Sequence, residues 1–228
     1  MEKILIAINS CKQYEDDGFS QHLRDTWLRD AKTYGFDYKF FVGRGAQENE
    51  DVVAVDAGDS YLELGSKSVE KFKYAVRQNY SFVFGADCDT AMCMERLATC
   101  GFDAFDYYGD FYHQNPRQPW PHGSYGKFCQ AGPGFFMSRK AMQYFIQDYK
   151  EGLSDNLMGD ICRSHSDVKI GDGGWERFST PLFVDDHGPR RSNAIITAHL
   201  STIQPNSDHD FWHKGRVHER MYQEWKSL

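Results

Sequence analysis

Residues 81–89 read SFVFGADCD, an apolar run that ends on two aspartates with one residue between them. Its first part, SFVF, is bulky and apolar throughout, which is typical of a short strand buried on both faces. Two similar runs occur earlier in the chain, KILIAIN at residues 3–9 and DYKFFVG at residues 37–43. Strands of this kind belong to parallel sheets that carry helices on each face, so the three runs predict such a sheet.

Helical periodicity separates these runs. Residues 20–33 place Leu23, Trp27 and Leu28 on one helical face, and Ser20 can cap the start of this helix. Further helices are predicted at 59–78, 92–97 and 139–149, further strands at 52–55, 105–112, 134–138 and 194–200, and a loop at 115–128. The alternation predicts an α/β fold with a Rossmann-like, mostly parallel sheet flanked by helices. Because no repeat or long linker divides the chain, we expect a single domain over residues 1–228.

Composition narrows the classes of function. The formal net charge is −7, which argues against a protein whose main task is to hold duplex nucleic acid, since that task needs a face rich in Lys and Arg. Aromatic residues make up 15% of the chain. They can fill the core, or they can stack on sugar rings, and composition leaves both open.

The six cysteines show no CxxC pair and no zinc-like spacing, so they are expected to be reduced, partly buried thiols of a cytosolic protein. The N-terminal apolar run is shorter than the core of a signal peptide. No stretch approaches the ~20 apolar residues of a membrane-spanning helix. The sequence therefore predicts a soluble, cytoplasmic protein without a membrane span.

Asp87 and Asp89 follow an apolar strand at its carboxyl end, where open α/β sheets bind ligands. Residues two apart in an extended segment project to the same side. Two carboxylates placed in this way can hold one hard divalent cation, Mn²⁺ or Mg²⁺, that also binds a diphosphate. The alternative is a pair of solvated acids in a turn.

Four further short motifs occur with this pair, in a fixed order along the chain. The five motifs are LRDTW at 23–27, DSYLELGSKS at 59–68, ADCD at 86–89, GPGFFMS at 132–138 and SDNLMG at 154–159. They resemble motifs of the family 31 inverting glycosyltransferases, the β-1,3-galactosyltransferase and Fringe-like enzymes. Among the differences from that family, Cys88 replaces an acid and Ser154 replaces a glutamate.

The resemblance implies a GT-A fold with a donor-binding half at about 1–100, an acceptor half at about 101–208 and a helical tail at 209–228. It also implies inversion at the anomeric carbon and a UDP-sugar donor. Asp87 and Asp89 would contact the metal and the ribose. Asp155 would be the general base that takes the proton of the acceptor hydroxyl. Asp155 can instead cap the segment NLMGDIC, and Asp160 is the second candidate for the base.

The same resemblance places His199 as the third metal ligand. A histidine that ends an apolar strand is otherwise a core or loop residue, and His187 competes for the role. Lys67 would neutralise donor phosphate, or it is a solvated helix lysine. Arg24 would be structural, bridging to a carboxylate, or it is a solvated surface charge.

The remaining candidates for donor binding lie at strand ends and in loops. Asn9, Ser10 and Gly43 end the first two strands, where the nucleoside would lie, although Gly43 can be a plain turn residue. Gly134 would let the backbone approach the sugar, or it merely permits a tight turn. Trp120 could stack on a sugar or anchor a loop.

Taken together, these features predict a metal-dependent hexosyltransferase whose hydroxyl acceptor is a glycan, a protein or a modified nucleobase. Two alternatives stay open. The chain could be a non-catalytic module that binds nucleotide sugars or glycans with the same fold. It could also be a metal-dependent phosphohydrolase that uses Asp87 as its nucleophile.

Overall fold

The computed structural model describes residues 2–112, 128–129, 131–152, 154–174, 177–179, 184–185, 188–189, 196–199, 219, 221–223 and 225–226. The strands are β1 Ile4–Asn9, β2 Phe36–Val42, β3 Val52–Ala54, β4 Phe82–Asp87, β5 Thr90–Met92, β6 Tyr107–Gly109, β7 Phe111–Tyr112, β8 Phe128–Cys129, β9 Phe135–Ser138, β10 Ile170–Asp172, β11 Phe178–Ser179, β12 Val184–Asp185, β13 Gly188–Pro189 and β14 Thr197–His199. The helices are α1 Lys12–Asp16, α2 Phe19–Asp25, α3 Leu28–Ala31, α4 Leu64–Arg77, α5 Met94–Ala98, α6 Arg139–Asp148 and α7 Ser154–Ser164. Short 3₁₀ turns occupy Lys32–Tyr34, Tyr61–Glu63 and Phe102–Ala104.

Seven strands form the main sheet in the order β10-β6-β9-β4-β1-β2-β3. All neighbouring pairs are parallel except those of β9, which runs antiparallel between β4 and β6. A smaller sheet, β11-β14-β5, lies beyond the end of β4. The predicted α/β fold with a mostly parallel sheet is therefore confirmed. The main sheet contains strands from both predicted halves of the chain. That the chain forms a single domain stays a prediction.

The core consists of two apolar layers, one on each face of the sheet. Along β1, Ile6 and Ile8 face the layer that contains α2 and α3, while Leu5 and Ala7 face the layer that contains α4 and α6. This alternation with apolar residues on both sides explains why the run KILIAIN has no polar face. All four of these side chains are fully buried.

The prediction of one helix over residues 20–33 is wrong in one respect, because the helix is interrupted at Thr26. The Thr26 hydroxyl donates a hydrogen bond to the carbonyl of His22 at 2.6 Å, and the Thr26 backbone leaves the helical region with φ −111° and ψ −117°. A side-chain bond of this type competes with the helical ladder. Leu23, Trp27 and Leu28 are nevertheless all buried, as predicted.

The prediction that Ser20 caps this helix is also wrong. The helix begins at Phe19, and Gly18 occupies the cap position with φ +76°. Ser20 is buried, and its hydroxyl donates to Oε1 of Glu15 in the preceding helix.

Two strands also differ from their predictions. The strand expected over 105–112 is interrupted at the buried Asp110, so that β6 joins the main sheet and β7 pairs with β8. The short strand β5 directly follows Asp89, where the sequence predicted none, and it pairs with β14. A strand of three residues is too short to show the alternating pattern of a strand in its sequence. Strand β5 forms because β14 pairs with it.

The six cysteines all lie within the described residues as free thiols, and five are buried, as expected for structural thiols. Many aromatic side chains fill the core, with Phe102 stacked on Phe136 at 4.0 Å between ring centroids. Within the described ranges, no helix combines the length and the apolar character needed to cross a bilayer. Trp120, His187, most of the predicted loop at 115–128 and most of the tail at 209–228 lie outside the described residues.

Candidate functional site

The carboxyl ends of β1, β2 and β4 meet at one edge of the sheet. In the parallel register, Asn9 lies opposite Phe41 of β2 on one side and opposite Asp87 of β4 on the other. The Asn9 amide nitrogen donates a hydrogen bond to Oδ1 of Asp87 at 3.0 Å. Asn9 and Asp87, predicted from separate parts of the sequence, are therefore in direct contact.

Asp87 is the last residue of β4, and Asp89 lies in the turn before β5. Both aspartates are partly exposed, whereas Cys88 between them is 5% exposed and packs in the core. The alternation puts the two carboxylates on the side away from the core. The side chain of Cys88 faces apolar neighbours. This burial explains why a cysteine can stand where family 31 enzymes, which the motifs resemble, have an acid.

His199 lies close to this pair along the backbone. Strand β14 pairs antiparallel with β5, and His199 lies opposite Thr90, the residue after Asp89. Directly opposed residues in such a pair have Cα atoms about 4.5–5.5 Å apart. The predicted third ligand therefore belongs to the strand beside the two aspartates.

The side chains at this edge offer ligands of the type that a divalent cation needs. No group of three His, Cys, Asp or Glu side chains suited to a metal occurs among the described residues, which do not include the imidazole of His199. Two carboxylates at one strand end and a histidine on the adjacent strand provide the oxygen and nitrogen ligands that Mn²⁺ accepts. The residues fit the ion in type and in backbone placement, and the metal itself stays a prediction.

Two lysines of α4 reach under this edge of the sheet. Lys67 and Lys71 are one helical turn apart and only 1% and 0% exposed. The Lys71 ammonium donates to Oδ1 of Asn9 at 3.0 Å, so that Asn9 links it to Asp87. Burial lowers the pKa of Lys71 to about 8, against the attraction of Asp87. Buried lysines need such partners, because an isolated buried charge is costly.

Lys67 is neither solvated nor directed at open space. Its ammonium donates to Oδ1 of Asp59 at 2.6 Å and to the carbonyl of Ser10. The interpretation of Lys67 as a solvated helix lysine is therefore wrong. Contact with donor phosphate stays a prediction for Lys67.

Asp59 joins three elements at this edge. Its Oδ1 also accepts from the Gly43 backbone at 2.8 Å, and its Oδ2 accepts from the Lys12 backbone at 2.9 Å. A Cβ on Gly43 would lie 2.8 Å from Oδ1 of Asp59, so this close approach accounts for the glycine. Nucleoside binding by Ser10 and Gly43 stays a prediction.

Asp155 lies in the first turn of α7 and is partly buried. Its Oδ2 accepts a hydrogen bond from the Ala131 backbone at 3.2 Å. The charges of Asp87 and Asp155 both favour the protonated form of Lys71, against the effect of burial on its pKa. Asp160, by contrast, is exposed and pairs with Arg163 at 2.9 Å.

The loop of residues 131–134 connects these parts of the site. Thr90 donates to the carbonyl of Gly132, and Thr197 donates to the carbonyl of Pro133. The loop thus spans from the strand after Asp89 to the carboxylate of Asp155. Gly134 ends it with φ +95°, and a Cβ there would lie 2.3 Å from Cζ of Phe84. Packing and backbone geometry account for this glycine, and its contact with the sugar stays a prediction.

Gly134→Ala is expected to lower the free energy of unfolding by about 2 kcal/mol, through the positive φ and the clash with Phe84. Denaturant unfolding measures this change. Gly45→Ala is the matched control, because Gly45 has φ +81° but no atom lies within 4 Å of the position that a Cβ would take there. Equal losses in both variants would contradict the role of packing.

Of the two interpretations of Arg24, the structural one is confirmed and the solvated surface charge is wrong. Its guanidinium donates to Asp51 through Nε at 2.7 Å and Nη2 at 3.0 Å, and it lies over the ring of Phe40. A wide groove of about 830 Å³ beside this pair is lined by charged side chains of both signs. Asp87, Asp89 and Asp155 do not line it, so the groove is separate from the site.

Two residues of the site were not predicted from sequence as site residues. Lys71 could have been found from its spacing, because it lies four positions after Lys67 and so shares its helical face. Asp59 is the first residue of the motif at 59–68, but the motif does not reveal its partners, which lie 47, 16 and 8 positions away.

Comparisons with known proteins bear on the fold. No protein-family model matches the chain, and no curated protein matches it. A solved structure of a glycosyltransferase involved in the glycosylation of the major capsid of PBCV-1 is similar, with 8% sequence identity, a TM-score of 0.53 and coverage of 96% of this chain and 99% of that chain. Another similar structure is the galactosyltransferase LgtC in complex with donor and acceptor sugar analogs, with 10% identity, a TM-score of 0.49 and coverage of 98% and 96%. The first of these likenesses, together with the order of the sheet, shows that the chain has a GT-A type α/β fold.

Proposed function

We propose that this chain is an inverting, divalent-metal-dependent glycosyltransferase that moves a hexose from a UDP-sugar to a hydroxyl acceptor, and that it is related to family 31. The observation that carries the proposal is the arrangement of three carboxylates. Asp87 and Asp89 lie at the carboxyl end of β4 on the side away from the core, and Asp155 is bonded to the 131–134 loop, which is also bonded to Thr90 beside Asp89. The five ordered motifs support the same activity.

The proposed roles of the residues follow from this arrangement. Asp87, Asp89 and His199 would hold Mn²⁺ or Mg²⁺, which when bound offsets the charge that develops on the departing nucleoside diphosphate. Asn9 keeps the Asp87 carboxylate in place through its amide. The buried ammonium of Lys71 contributes positive charge beneath the same edge, while that of Lys67 is paired with Asp59.

Asp155 would act on the acceptor. Its carboxylate takes the proton of the acceptor hydroxyl while that oxygen forms a bond to the anomeric carbon. The bond from the anomeric carbon to the diphosphate oxygen breaks on the opposite face, and the nucleoside diphosphate leaves with the electron pair. A single in-line displacement of this kind inverts the configuration.

A ligand panel tests the proposal most directly. UDP-glucose, UDP-galactose and the corresponding GDP-sugars would be added to the protein with and without Mn²⁺, and the melting temperature recorded. A ligand at 100 times its Kd adds about 2.7 kcal/mol of stability, which a thermal shift detects. Stabilisation by a UDP-sugar only with Mn²⁺, followed by transfer to a hydroxyl compound, is expected. Ligand binding without transfer or hydrolysis would favour a binding module, and release of phosphate from simple esters would favour a phosphohydrolase.

Asp89→Asn is expected to weaken Mn²⁺-dependent UDP binding at least about tenfold, or roughly 1.4 kcal/mol. The substitution keeps the shape of the side chain but removes an anionic oxygen ligand. Titration calorimetry with UDP in the presence of Mn²⁺ measures the change. Asp103→Asn is the control, because Asp103 is an exposed aspartate in the 3₁₀ turn before β6. Unchanged affinity in Asp89→Asn would remove the metal site from this position.

A further inference from the structure

Lys71 carries a charge into the apolar layer between α4 and the sheet. It is 0% exposed, and its neighbours along the helix, Phe72 and Ala75, are fully buried members of that layer. Taking an ammonium out of water is unfavourable, whereas an apolar side chain would fill this position without that cost. The lysine therefore points to a role that needs its charge or its N–H groups.

Asn9 is the partner of this ammonium. On β1, Leu5 and Ala7 face the layer that contains α4, and the alternation of the strand turns Asn9 to the same face. The Lys71 ammonium donates to Oδ1 of Asn9 at 3.0 Å, and it makes no other hydrogen bond within the described part of the chain. One amide oxygen thus holds a buried charge at the end of β1.

The ammonium decides which way the Asn9 amide points. An ammonium can only donate hydrogen bonds, so the amide must turn its oxygen towards Lys71. The N–H₂ group of the amide then faces Asp87 and donates to Oδ1 of that carboxylate at 3.0 Å. The reversed amide would set N–H₂ against the ammonium and oxygen against the carboxylate, and both contacts would be repulsive. Lys71 therefore acts on Asp87 through the amide of Asn9.

We propose that Lys71 is a positioning residue of the candidate metal site, whose ammonium orients the Asn9 amide so that this amide holds the Asp87 carboxylate where a divalent cation would bind. This inference rests on the proposed function for the cation, and it adds a residue to that site. Groups that lie behind the ligands of a metal orient those ligands, and their loss typically costs about 10–100-fold in metal affinity. Lys71 and Asn9 would be such groups behind Asp87.

A role through charge alone would have the opposite effect. Lys71 lies on the far side of the Asn9 amide from Asp87, and its positive charge repels a cation bound at that carboxylate. If only this charge mattered, its removal would strengthen the binding of Mn²⁺. If the orientation of Asn9 matters more, the same change weakens the binding. The sign of the change therefore distinguishes the two roles.

Lys71→Met is expected to weaken the binding of Mn²⁺ about tenfold, at the lower end of the range for such groups, because Lys71 acts through one intervening side chain. Electron paramagnetic resonance of free Mn²⁺, at neutral pH and without nucleotide, measures the affinity of the full chain. Lys73→Met is the matched control, because Lys73 lies on the same helix but is exposed and pairs with Glu70 at 2.8 Å. This control should leave the affinity unchanged.

A second substitution tests the route through Asn9. If Lys71 acts through this amide, Lys71→Met should cause no further loss of Mn²⁺ affinity in a protein that already carries Asn9→Ala. If Lys71→Met alone does not fold, Lys71→Met combined with Asn9→Leu removes the charge and the amide together and fills the layer with apolar groups. The Mn²⁺ affinity of that double variant should equal that of Asn9→Ala.

Nuclear magnetic resonance separates this inference from the proposed function. The side-chain N–H₂ signals of Asn9, assigned by their absence in Asn9→Ala, should shift and exchange faster with water in Lys71→Met, whether or not Mn²⁺ binds. If the unaltered protein binds no Mn²⁺ while these signals depend on Lys71, the proposed metal site fails and the orienting role of Lys71 stands. Unchanged N–H₂ signals, unchanged or stronger Mn²⁺ binding in Lys71→Met, or additive losses in the double variant would overturn the inference.

Discussion

Asp155→Asn is expected to slow sugar transfer at least about a hundredfold while donor binding stays normal. A general base acts in the transition state and contributes typically about 10²–10⁴-fold in rate. Asparagine keeps the shape of the side chain but cannot take the acceptor proton. The nucleotide and the metal would be held by other residues, so the loss should appear in kcat rather than in the affinity for UDP.

The surroundings of Asp155 explain why we propose this residue, and not Asp160, as the general base. Oδ2 of Asp155 is engaged by the Ala131 backbone, which fixes the orientation of the carboxylate towards the loop next to Thr90. Its charge acts on Lys71 and Tyr61, together with that of Asp87. The structure gives Asp160 an exposed place and an ion pair with Arg163.

Asp160→Asn is therefore the matched control, on the same helix. Both variants would be assayed for transfer with a hydroxyl acceptor found on the unaltered enzyme, and for UDP binding in Mn²⁺. If Asp160→Asn transfers sugar slowly and Asp155→Asn transfers it at the normal rate, the general base is Asp160. Full activity in both would mean that the base lies elsewhere or that the reaction retains configuration and needs none.

The fold could be predicted from the sequence where the burial of a single strand or helix determines its own pattern of apolar residues. The runs KILIAIN and SFVF are apolar on both faces because β1 and β4 lie between two helical layers. Asp87 could be placed at the edge of the sheet because it follows such a run. The order of the motifs then predicted a GT-A type fold, which the structural comparison confirms.

What the sequence could not predict depends on contacts between distant segments. The direction of β9 is fixed by its partners β4 and β6, and an apolar run has the same pattern in either direction. The spacing puts Lys71 on the same helical face as Lys67, but lysine is usually a surface residue, and only the packing of α4 against the sheet makes Lys71 a buried charge. Asp59 has its role because three segments converge on its carboxylate.

That convergence makes Asp59→Asn the stability change with the largest expected effect. Lys67 is 2% exposed as a side chain and Asp59 is 25% exposed, so removal of the aspartate charge leaves a buried ammonium. Breaking a buried pair costs about 3–5 kcal/mol. Because Asp59 keeps some contact with water, we expect a loss of about 3 kcal/mol, at the lower end of that range. The Asp59 carboxylate accepts hydrogen bonds at both oxygens. Asparagine would replace one of these oxygens by an NH₂ group, which cannot accept the hydrogen bond made there.

Three further variants separate the charge from the fold. Asp56→Asn is the control, because Asp56 forms an exposed pair with Arg44 and should change stability little. Lys67→Met should cost less than Asp59→Asn, since the aspartate left behind is partly solvated and keeps its bonds to backbone N–H groups. The double variant should recover part of the loss, because it removes both charges together. Additive losses from the two substitutions would contradict a coupled pair.

The same pair predicts how stability depends on pH. Partial burial would raise the pKa of Asp59, but the hydrogen bonds from Lys67 and from the backbone of Lys12 and Gly43 outweigh it and hold this pKa below its usual value. A group whose pKa is lower in the folded state stabilises the fold above its unfolded pKa of about 3.9. Its contribution is therefore expected in full at neutral pH, and it should be lost as the pH falls below about 4 and through the folded pKa. Urea unfolding at a series of pH values measures this loss, and Asp59→Asn should show a shallower decline than the unaltered protein. Parallel curves for the two proteins would mean that the carboxylate of Asp59 does not hold the ends of β1 and β2 to α4.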